Sequence, residues 1–406
     1  MRRYKLKEIS NIYNGSTPST SDASNYDGDI IWITPKDLSN QKSKYVSKGE
    51  RNITEKGYKN CSTTMLPKGT ILLSSRAPIG LLAIAKTELC TNQGFKNIVP
   101  QKELVDNNYL YYLLRLKIKE IEALGSGTTF KEVSKTSLEN YEIDIHDIAE
   151  QQKISNILNA IDDKIALNNK INQELEQMAK TLYDYWFVQF DFPDEKGRPY
   201  KSAKGKMVYN EVLKREIPEG WEVKNIFDVL DIQYGYPFNT ELFTDNGGYS
   251  VVRIRDILTN SISAHTLEKV DDKYKLHEGD LLIGMDGNFH MNYWNETGAY
   301  LNQRCVRIRC KEEQALSIIQ AKYSLEPFIK KREQNISRTT VGHLSDKDFK
   351  SQYILVPKVN PNFHPKETFE SILYRITNNN NEIKNLVVLR DFLLPLLMNG
   401  QVSIRN

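Results

Sequence analysis

Three polar segments of the chain occur twice, in the same order and about 210 residues apart. They are rich in arginine, lysine, asparagine, glutamine, serine and threonine, whose side chains donate and accept hydrogen bonds. Residues of these types can recognise polar surfaces such as the groove edges of duplex DNA. The pairs are LPKGTILLSSRAPIG (66–80) with LHEGDLLIGMDGNFH (276–290), TNQGFKNIV (91–99) with LNQRCVRIR (301–309), and GSGTTFKEVS (125–134) with ISRTTVGHLS (336–345).

No recognised catalytic motif accompanies these segments. The sequence lacks a GxxxxGK[ST] phosphate loop, a GxGxxG sequence after a strand, an HExxH zinc motif and the Asn-Pro-Pro-aromatic motif of amino-methyltransferases. FPDEKGRP resembles the start of a nuclease PD…(D/E)xK motif, but Asp194 would have to fill both acidic positions. The histidines are scattered, and the cysteines form neither a CxxC pair nor a zinc-spaced cluster. The sequence therefore predicts binding without catalysis.

The composition predicts a reduced, cytosolic protein of two or three domains. Its 406 residues are 39% hydrophobic and 26% charged, which is enough for more than one hydrophobic core. No apolar run approaches the roughly 20 residues of a membrane span, and the first residues lack the apolar stretch of a signal peptide. The net charge of +3 argues against a non-specific polycation but allows a DNA-binding protein with local basic patches.

The repeat extends along the whole chain. ITPKDL (33–38) corresponds more weakly to VRIRDI (252–257), and residues 369–400 repeat a stretch at 149–187 that contains no proline or glycine. Each half is therefore predicted to consist of a β-rich globular part followed by a long helix. The segment 188–220 is rich in lysine, glycine and proline and is predicted to be an exposed connector.

The stretch 149–187 has apolar residues at the alternating three- and four-residue spacing of a coiled coil. As a helix it would be roughly 58 Å long at about 1.5 Å per residue. Its copy near the C-terminus is predicted to pair with it antiparallel, with Pro395 kinking or ending the second helix. Arg390 falls at a seam position of that second helix. The other predicted seam residues are Ile154, Leu158, Ile161, Ile165, Asn168, Asn172, Leu175, Ala179, Leu182, Trp186, Phe369, Leu373, Ile376, Asn380, Ile383, Val387, Leu394 and Leu397.

Asparagines interrupt this apolar seam. Asn168 and Asn380 occupy equivalent positions of the repeat, so an antiparallel crossing is predicted to bring them together. A buried asparagine at a seam position fixes the register at a cost in stability. The alternative is that both asparagine clusters lie on solvated faces or mark local breaks.

Six segments, in order along the whole chain, resemble one known family. They are SSRAPIG (74–80), TNQGFK (91–96), AEQQKISNILNAIDDKIALNNKI (149–171), YDYWFVQFDFPDEKGRPYKSAKGKMV (183–208), IPEGWEV (217–223) and LRDFLLPLLMNGQV (389–402). In these segments the chain resembles the specificity subunits of type I restriction–modification systems. The resemblance implies an α+β fold with two mixed α/β target recognition domains, separated by two long antiparallel coiled-coil helices, in a pseudo-two-fold repeat. The implied recognition domains are residues 1–148 and 221–364, the spacer helices 149–187 and 365–402, and the connector 188–220.

The same resemblance implies a non-catalytic subunit that reads a bipartite target in double-stranded DNA. It implies docking of two methyltransferase subunits and one or two restriction subunits, with the paired helices as docking surface and as the spacer between half-sites. S-adenosylmethionine would be bound by the methyltransferase, ATP and Mg by the restriction subunit, and no cofactor by this chain. Two alternatives remain open: a solitary sequence-specific DNA-binding protein without methyltransferase partners, and a nuclease with an unrecognised motif.

Candidate DNA-contacting residues lie in the repeated segments. Residues that differ between the halves are expected to read different bases, and by this reasoning Arg76 and Asp286, aligned but opposite in charge, are the base-reading candidates. For the Asn-Gln pairs at 92–93 and 302–303, repetition in both halves favours a structural turn. The full set is Lys36, Arg76, Gln93, Lys96, Thr128, Thr129, Lys131, Arg253, Arg255, Asp286, Asn288, Gln303, Arg304, Arg338, Thr339, Thr340 and His343.

Overall fold

The structure, a computed structural model, describes residues 1–39, 43–126, 131–245, 247–287, 289–313, 315–334, 342–402 and 404. The chain divides into two compact units. Unit 1 comprises Met1–Leu167 and Ile383–Asn406, and unit 2 comprises Asn168–Glu382. None of the helices in the described ranges is long and apolar enough to cross a membrane.

Unit 1 is built around a five-stranded sheet. Its strands are β1 (Arg2–Lys5), β2 (Ser10–Asn14), β3 (Tyr26–Ile30), β4 (Trp32–Ile33), β5 (Tyr45–Val46), β6 (Ile71–Ser75), β7 (Ile79–Ala85), β8 (Cys90–Thr91), β9 (Phe95–Pro100) and β10 (Glu142–Ile145). Its helices are α1 (Leu6–Ile9), α2 (Pro35–Ser39), α3 (Glu55–Lys59), α4 (Asn107–Leu116), α5 (Ile118–Ala123), α6 (Lys135–Glu139) and the start of α7 (Ile148–Tyr183), with a 3₁₀ turn at Ala23–Asn25. The sheet has the order β2-β9-β6-β7-β5, and β1 pairs with β10 beside it.

Unit 2 contains two four-stranded sheets, of order β14-β21-β18-β19 and β15-β17-β16-β20. Its strands are β11 (Met207–Asn210), β12 (Arg215–Pro218), β13 (Glu222–Asn225), β14 (Leu230–Tyr234), β15 (Phe243–Thr244), β16 (Tyr249–Val252), β17 (Ala264–Thr266), β18 (Leu281–Gly284), β19 (Met291–Tyr293), β20 (Tyr300–Leu301), β21 (Cys305–Cys310) and β22 (Tyr353–Val356). A π-helical turn at Asp184–Val188 follows α7. The other helices are α8 (Ile226–Val229), α9 (Ile254–Ile257), α10 (Ile318–Gln334), α11 (Asp346–Lys350) and the start of α12 (Pro365–Met398), with 3₁₀ turns at Thr240–Leu242 and Asp272–Tyr274.

The internal repeat is present in the strand pairing. Strand β6 is antiparallel to β9, with Ile71 opposite Ile98, and β18 is antiparallel to β21, with Leu281 opposite Ile308. All four of these residues are fully buried. The order β2-β9-β6-β7 in unit 1 therefore matches β14-β21-β18-β19 in unit 2, so the two units are copies of one architecture.

The first turn of each unit also repeats, which the sequence comparison missed. A Cβ atom on Gly15 would lie 2.0 Å from the carbonyl oxygen of Asn92, and one on Gly235 would lie 2.0 Å from that of Asn302. Only glycine permits so close an approach of two backbones. The sequence signal is weak, NIYNG against DIQYG, and the spacing here is about ten residues larger than in the other blocks.

The segment 188–220 was predicted to be an exposed connector, and this is wrong for both of its ends. Phe190, Phe192 and Ile217 are buried in the core of unit 2. The Phe192 ring lies 4.9 Å from the ring of Trp221 and 4.6 Å from that of Phe363. The lysines, glycines and prolines of the segment are concentrated in its middle, so the average composition concealed apolar residues that bury their rings.

The two long helices pair within each unit through residues of the predicted seam. In unit 1, α7 buries Leu158, Ile161 and Ile165, and α12 buries Leu394, whereas Ile383 and Val387 are half-buried. In unit 2 the buried seam residues are Asn168, Leu175 and Ile376, and the half-buried ones are Leu182, Leu373 and Asn380. Helix α12 continues through Pro395 and ends at Met398.

The predicted pairing of Asn168 with Asn380 is wrong by one helical turn. Asn172 Nδ2 donates to Asn380 Oδ1 at 2.7 Å, Asn379 Nδ2 donates to Asn172 Oδ1 at 2.9 Å, and Asn168 Nδ2 donates to Glu382 at 2.7 Å. Asn168 and Asn172 are buried, so they do not lie on a solvated face. A seam with a three- and four-residue spacing presents the same face after a shift of one turn, and position in the repeat therefore did not determine the register.

Candidate nucleic-acid interface

The three repeated segments of unit 1 meet through backbone hydrogen bonds. The amide of Ser75, at the end of β6, donates to the carbonyl of Gly94 at 2.8 Å, and the amide of Val133 donates to the carbonyl of Ser75 at 3.0 Å. Arg76 is the chain neighbour of Ser75, and Gln93 that of Gly94. The fold thus brings two candidate residues from distant parts of the sequence to one end of the sheet.

Unit 2 repeats the same two hydrogen bonds. The amide of Met285, after β18, donates to the carbonyl of Arg304 at 2.9 Å, and the amide of Leu344 donates to the carbonyl of Met285 at 2.8 Å. These bonds place Asp286, Arg304 and His343 together. The backbone arrangement is the same in both units, while the side chains on it differ.

In unit 1 the candidate cations differ in their availability. Arg76 is half-buried and has no ion pair or hydrogen bond to any residue that the structure describes. Lys131 is exposed. Lys96, by contrast, has a side chain only 7% exposed, with its ammonium 3.0 Å from Glu132 Oε1. Arg76 and Lys131 can therefore reach a ligand, whereas the charge of Lys96 is used inside the protein.

Two other candidates of unit 1 lie beside this group. Lys36, on α2, is exposed, and its ammonium is 2.7 Å from a carboxylate oxygen of Glu50. This hydrogen bond raises the pKa of Lys36. Pro35, its chain neighbour, lies against Gly94, where a Cβ would be 2.8 Å from the proline ring. Gln93 is exposed and accepts a hydrogen bond from the Thr17 hydroxyl.

In unit 2 the side chains of three candidates form one cluster. Asp286 Oδ1 is 2.6 Å from His343 Nδ1, and Asp286 Oδ2 is 3.4 Å from Arg304 Nε. The Asp286 side chain is 22% exposed, against 65% for Arg304 and 62% for His343. Gln303, the chain neighbour of Arg304, is exposed. The two basic side chains therefore project from a more buried carboxylate.

Arg253 and Arg255 form a separate cluster in unit 2. Arg253 Nη2 donates to the Ser263 carbonyl at 2.8 Å, and Arg255 Nε donates to the Ser263 hydroxyl at 3.0 Å. The guanidinium of Arg253 also lies over the ring of Phe243 at 5.9 Å, and burial lowers the pKa of Arg253. Among the residues that the structure describes, no hydrogen bond or ion pair joins these arginines to Asp286.

The remaining candidates, Thr128, Thr129, Asn288, Arg338, Thr339 and Thr340, lie outside the described residues. Glu132 was missed, although FKEVS and VGHLS align it with His343. The asparagines before Gln93 and Gln303 form turns, as their repetition suggested. Asn92 Oδ1 accepts from the amide of Gly94 at 2.9 Å, and Asn302 Oδ1 accepts from the amide of Arg304 at 3.4 Å.

The described residues contain no group of three or more His, Cys, Asp or Glu side chains placed to hold a metal ion. Burial raises the pKa of both Cys90 and Cys305 to about 12. A thiol with so high a pKa is a poor nucleophile near neutral pH. These two cysteines pack as core residues.

Comparison with known proteins identifies the family. The family described as Type I restriction modification DNA specificity domain matches residues 1–177 and 218–387. The MjaIX specificity subunit of Methanocaldococcus jannaschii is 36% identical to this chain, over 99% of this chain and 93% of its own length. The chain belongs to the family of type I restriction–modification specificity subunits. The resemblance predicted from the sequence is confirmed.

Other relatives agree. The HindI specificity subunit of Haemophilus influenzae is 24% identical, over 76% of this chain and 80% of its own length. The crystal structure of the S subunit from M. genitalium has a TM-score of 0.56 and 17% identity, over 98% of this chain and 95% of that one, and so has the same fold. As a type I specificity subunit, the chain supplies DNA sequence specificity and is not the catalytic subunit. The family has no catalytic cofactor of its own.

Proposed function

We propose that this specificity subunit reads a bipartite target in double-stranded DNA, one half-site by unit 1 and the other by unit 2. The observation that carries the proposal is the paired backbone arrangement at 75, 94 and 133 and at 285, 304 and 344. Both units join three distant segments in the same way, but display different side chains on them. A common scaffold with different polar side chains is what two readers of different base sequences require.

The exposed cations on this scaffold suit duplex DNA. An arginine can donate two hydrogen bonds to the O6 and N7 acceptors of guanine, and a lysine can contact phosphate without reading sequence. Arg76 is our candidate base reader in unit 1, and Lys131 our candidate phosphate contact. Gln93 and Gln303, exposed beside their turns, are candidates for further polar contacts.

The subunit acts together with the other subunits of its restriction–modification system. We propose that two methyltransferase subunits and one or two restriction subunits assemble with it in the cytoplasm, with S-adenosylmethionine bound by the methyltransferase and ATP and Mg by the restriction subunit. Large apolar side chains on the outer faces of α7 and α12 support docking there. Met178 is 45% exposed, Tyr374 66% and Phe392 64%, and large apolar side chains left exposed on a helix are available to a partner protein.

Methylation mapping tests the two-reader proposal. The Arg76→Ala variant, assembled with its methyltransferase, should relax recognition at one position of one half-site and weaken binding by about 1–3 kcal/mol. The Arg51→Ala variant is the matched control, because Arg51 is an exposed arginine of unit 1 that pairs with Asp27 at 3.1 Å, away from the repeated segments. A change in both half-sites, or none, would count against separate readers.

A second experiment addresses the assembly. The protein purified alone should transfer no methyl group from S-adenosylmethionine to DNA, and transfer should appear when the methyltransferase subunit is added. Methyl transfer by the isolated protein would refute the proposal that the methyltransferase subunit carries out the reaction. A solitary DNA-binding role and a nuclease are both less favoured, because the relative that spans 99% of the chain is named as a specificity subunit.

A further inference from the structure

At two aligned positions, an acidic residue in one unit corresponds to a basic residue in the other. Arg76 of unit 1 corresponds to Asp286 of unit 2, because each follows a residue with the same two backbone hydrogen bonds. Glu132 corresponds in the same way to His343, since each precedes the residue whose amide closes the second bond. The basic residue thus follows β6 in unit 1 and the acidic residue follows β18 in unit 2, while the backbone hydrogen bonds are the same.

The Asp286 carboxylate is already occupied on both oxygens. His343 lies 2.6 Å from Oδ1 and Arg304 lies 3.4 Å from Oδ2. Each oxygen keeps a further lone pair, but a base that approaches either oxygen would meet a basic side chain there. It is also the least exposed side chain of the three, at 22%. Both observations argue against direct reading by Asp286.

The backbone fixes the second member of the cluster as well. The Gly287 amide donates to the Gly342 carbonyl at 3.0 Å, next to the bridge between Asp286 and His343. Arg332 Nη2 donates to the His343 carbonyl at 3.4 Å and pairs with Asp348 at 3.2 Å. The carboxylate therefore meets a histidine whose position is set from two sides.

In unit 1 the acidic residue, Glu132, has a different kind of partner. Glu132 pairs with Lys96, whose side chain is 7% exposed, so the acid is neutralised from inside the domain. The Arg76 side chain has no hydrogen-bond or ion-pair partner among the described residues, so its guanidinium remains available to a ligand. In unit 1 the available cations are Arg76, after β6, and Lys131, beside Glu132, whereas in unit 2 the exposed basic side chains are Arg304 and His343.

We propose that Asp286 is a positioning residue, which holds Arg304 and His343 for base recognition in the second half-site. The inference rests on the proposed function and replaces the interpretation of Asp286 as a base reader. It also fixes the chemistry of the base. A positioned Arg304 reads the O6 and N7 acceptors of guanine, whereas a reading aspartate would require the exocyclic amine of cytosine or adenine.

The test uses the assembled methyltransferase complex and three variants: Asp286→Asn, Arg304→Ala and the double variant. Arg304→Ala should weaken binding about 10- to 100-fold and make one guanine position of the second half-site degenerate. Asp286→Asn should relax the same position, because the amide cannot hold the guanidinium as a carboxylate does. Two residues that act through each other are non-additive, so the double variant should lose clearly less binding than the product of the two single losses, with the contribution of His343 lost in addition to that of Arg304. The first half-site should remain unchanged in all three.

One control and one further variant separate positioning from damage to the fold. Asp272→Asn removes an exposed carboxylate of the same unit, 2.7 Å from Lys275, and should change neither specificity nor binding. His343→Ala truncates a side chain that is 62% exposed, should leave the melting temperature unchanged, and should relax the second half-site alone.

The outcomes are distinguishable. If Asp286→Asn selects a new base while Arg304→Ala leaves specificity intact, Asp286 reads the base itself and the inference is overturned. Independent, multiplicative losses from the two variants would overturn it as well. If Arg304→Ala and Arg76→Ala both leave the methylation pattern unchanged, the DNA-reading surface lies elsewhere and the proposed function fails with it.

Discussion

The Arg390→Met substitution should destabilise unit 1 by breaking a buried ion pair. Arg390 Nη1 is 2.9 Å from Asp162 Oδ1, and the two side chains are 10% and 12% exposed. Methionine keeps most of the apolar contacts of the arginine stem but removes the ion-pair partner of the Asp162 carboxylate, which leaves Lys44 as the cation nearby. The loss is therefore one of charge compensation, with little loss of packing.

The expected cost is about 3 kcal/mol. Removal of one partner from a buried pair costs roughly 3–5 kcal/mol, because the other charge stays desolvated. Here the cost should lie at the lower end, since Tyr112 still donates to Asp162 Oδ2 at 2.6 Å and both charged residues line a cavity of about 210 Å³ that water can enter. For a unit of this size, such a loss lowers the melting temperature by about 6–12 °C.

Fluorine NMR of protein labelled with 5-fluorotryptophan can measure this loss unit by unit. Trp32 is the tryptophan of unit 1, whereas Trp186, Trp221 and Trp294 belong to unit 2. Urea titration of the Trp32 resonance should show a lower unfolding midpoint in the variant.

The control and the rescue make the reasoning refutable. Arg115→Met should cost less than about 1 kcal/mol, because Arg115 is 3.6 Å from Asp391 in a pair exposed by 34% and 53%. Asp162→Asn added to Arg390→Met should recover part of the lost stability, since it removes the uncompensated charge. A loss below about 1 kcal/mol for Arg390→Met, or no recovery in the double variant, would show that the pair is not a buried charge pair in solution.

Four further predictions concern the packing at Gly15, the amide network at Asn172, and the reactivity and titration of the thiols. Gly15→Ala would place a Cβ 2.0 Å from the Asn92 carbonyl oxygen and should cost about 2–3 kcal/mol in urea denaturation; an unchanged midpoint would refute the close approach. Asn172→Ala removes a buried amide that bonds two others, and should cost about 2–3 kcal/mol, with faster hydrogen exchange in the adjoining turns of α7 and α12; native exchange rates there would contradict this. Iodoacetamide at pH 8 should modify Cys61 well before Cys90, whose pKa burial raises to about 12, as mass spectrometry can show. Because folded Cys90 keeps a proton that the unfolded chain releases, its contribution to stability is complete below about pH 9 and is lost towards pH 12, by up to about 1.4 kcal/mol per pH unit.

The sequence predicted the features that depend on periodicity and repetition. The seam spacing identified Leu158 and Ile165 as buried, because side chains three and four residues apart share one face of a helix. The repeated blocks identified segments that the sheets bring together at Ser75 and Met285. Both inferences use local patterns that every turn of helix or pair of strands must satisfy.

Features that depend on contacts between distant positions were not predictable in this way. The spacing placed Arg390 in the seam, but nothing local indicated that Asp162 would face it. The contact of Asn380 with Asn172, where Asn168 was predicted, has the same origin. Sliding one helix along the other by one turn preserves the three- and four-residue spacing, so the spacing alone does not determine the register. The contacts of Asp286 with Arg304 and His343 likewise arise only where three loops meet. Alignment of the two halves shows that position 286 differs in charge from position 76, but it does not show which side chains contact Asp286.

The hydrogen bonds that join the three segments in each unit have a consequence for evolution. They run between backbone groups at Ser75, Gly94 and Val133, and at the matching positions of unit 2, so they make no demand on the identity of the neighbouring side chains. Mutations at the adjacent positions can therefore change what is recognised while leaving the join intact. If each unit reads its own half-site, as proposed, mutations in one unit leave the preference of the other unchanged, and the number of attainable targets is the product of the numbers that each unit can read. New specificities can thus arise by single substitutions in these segments, without a change of fold.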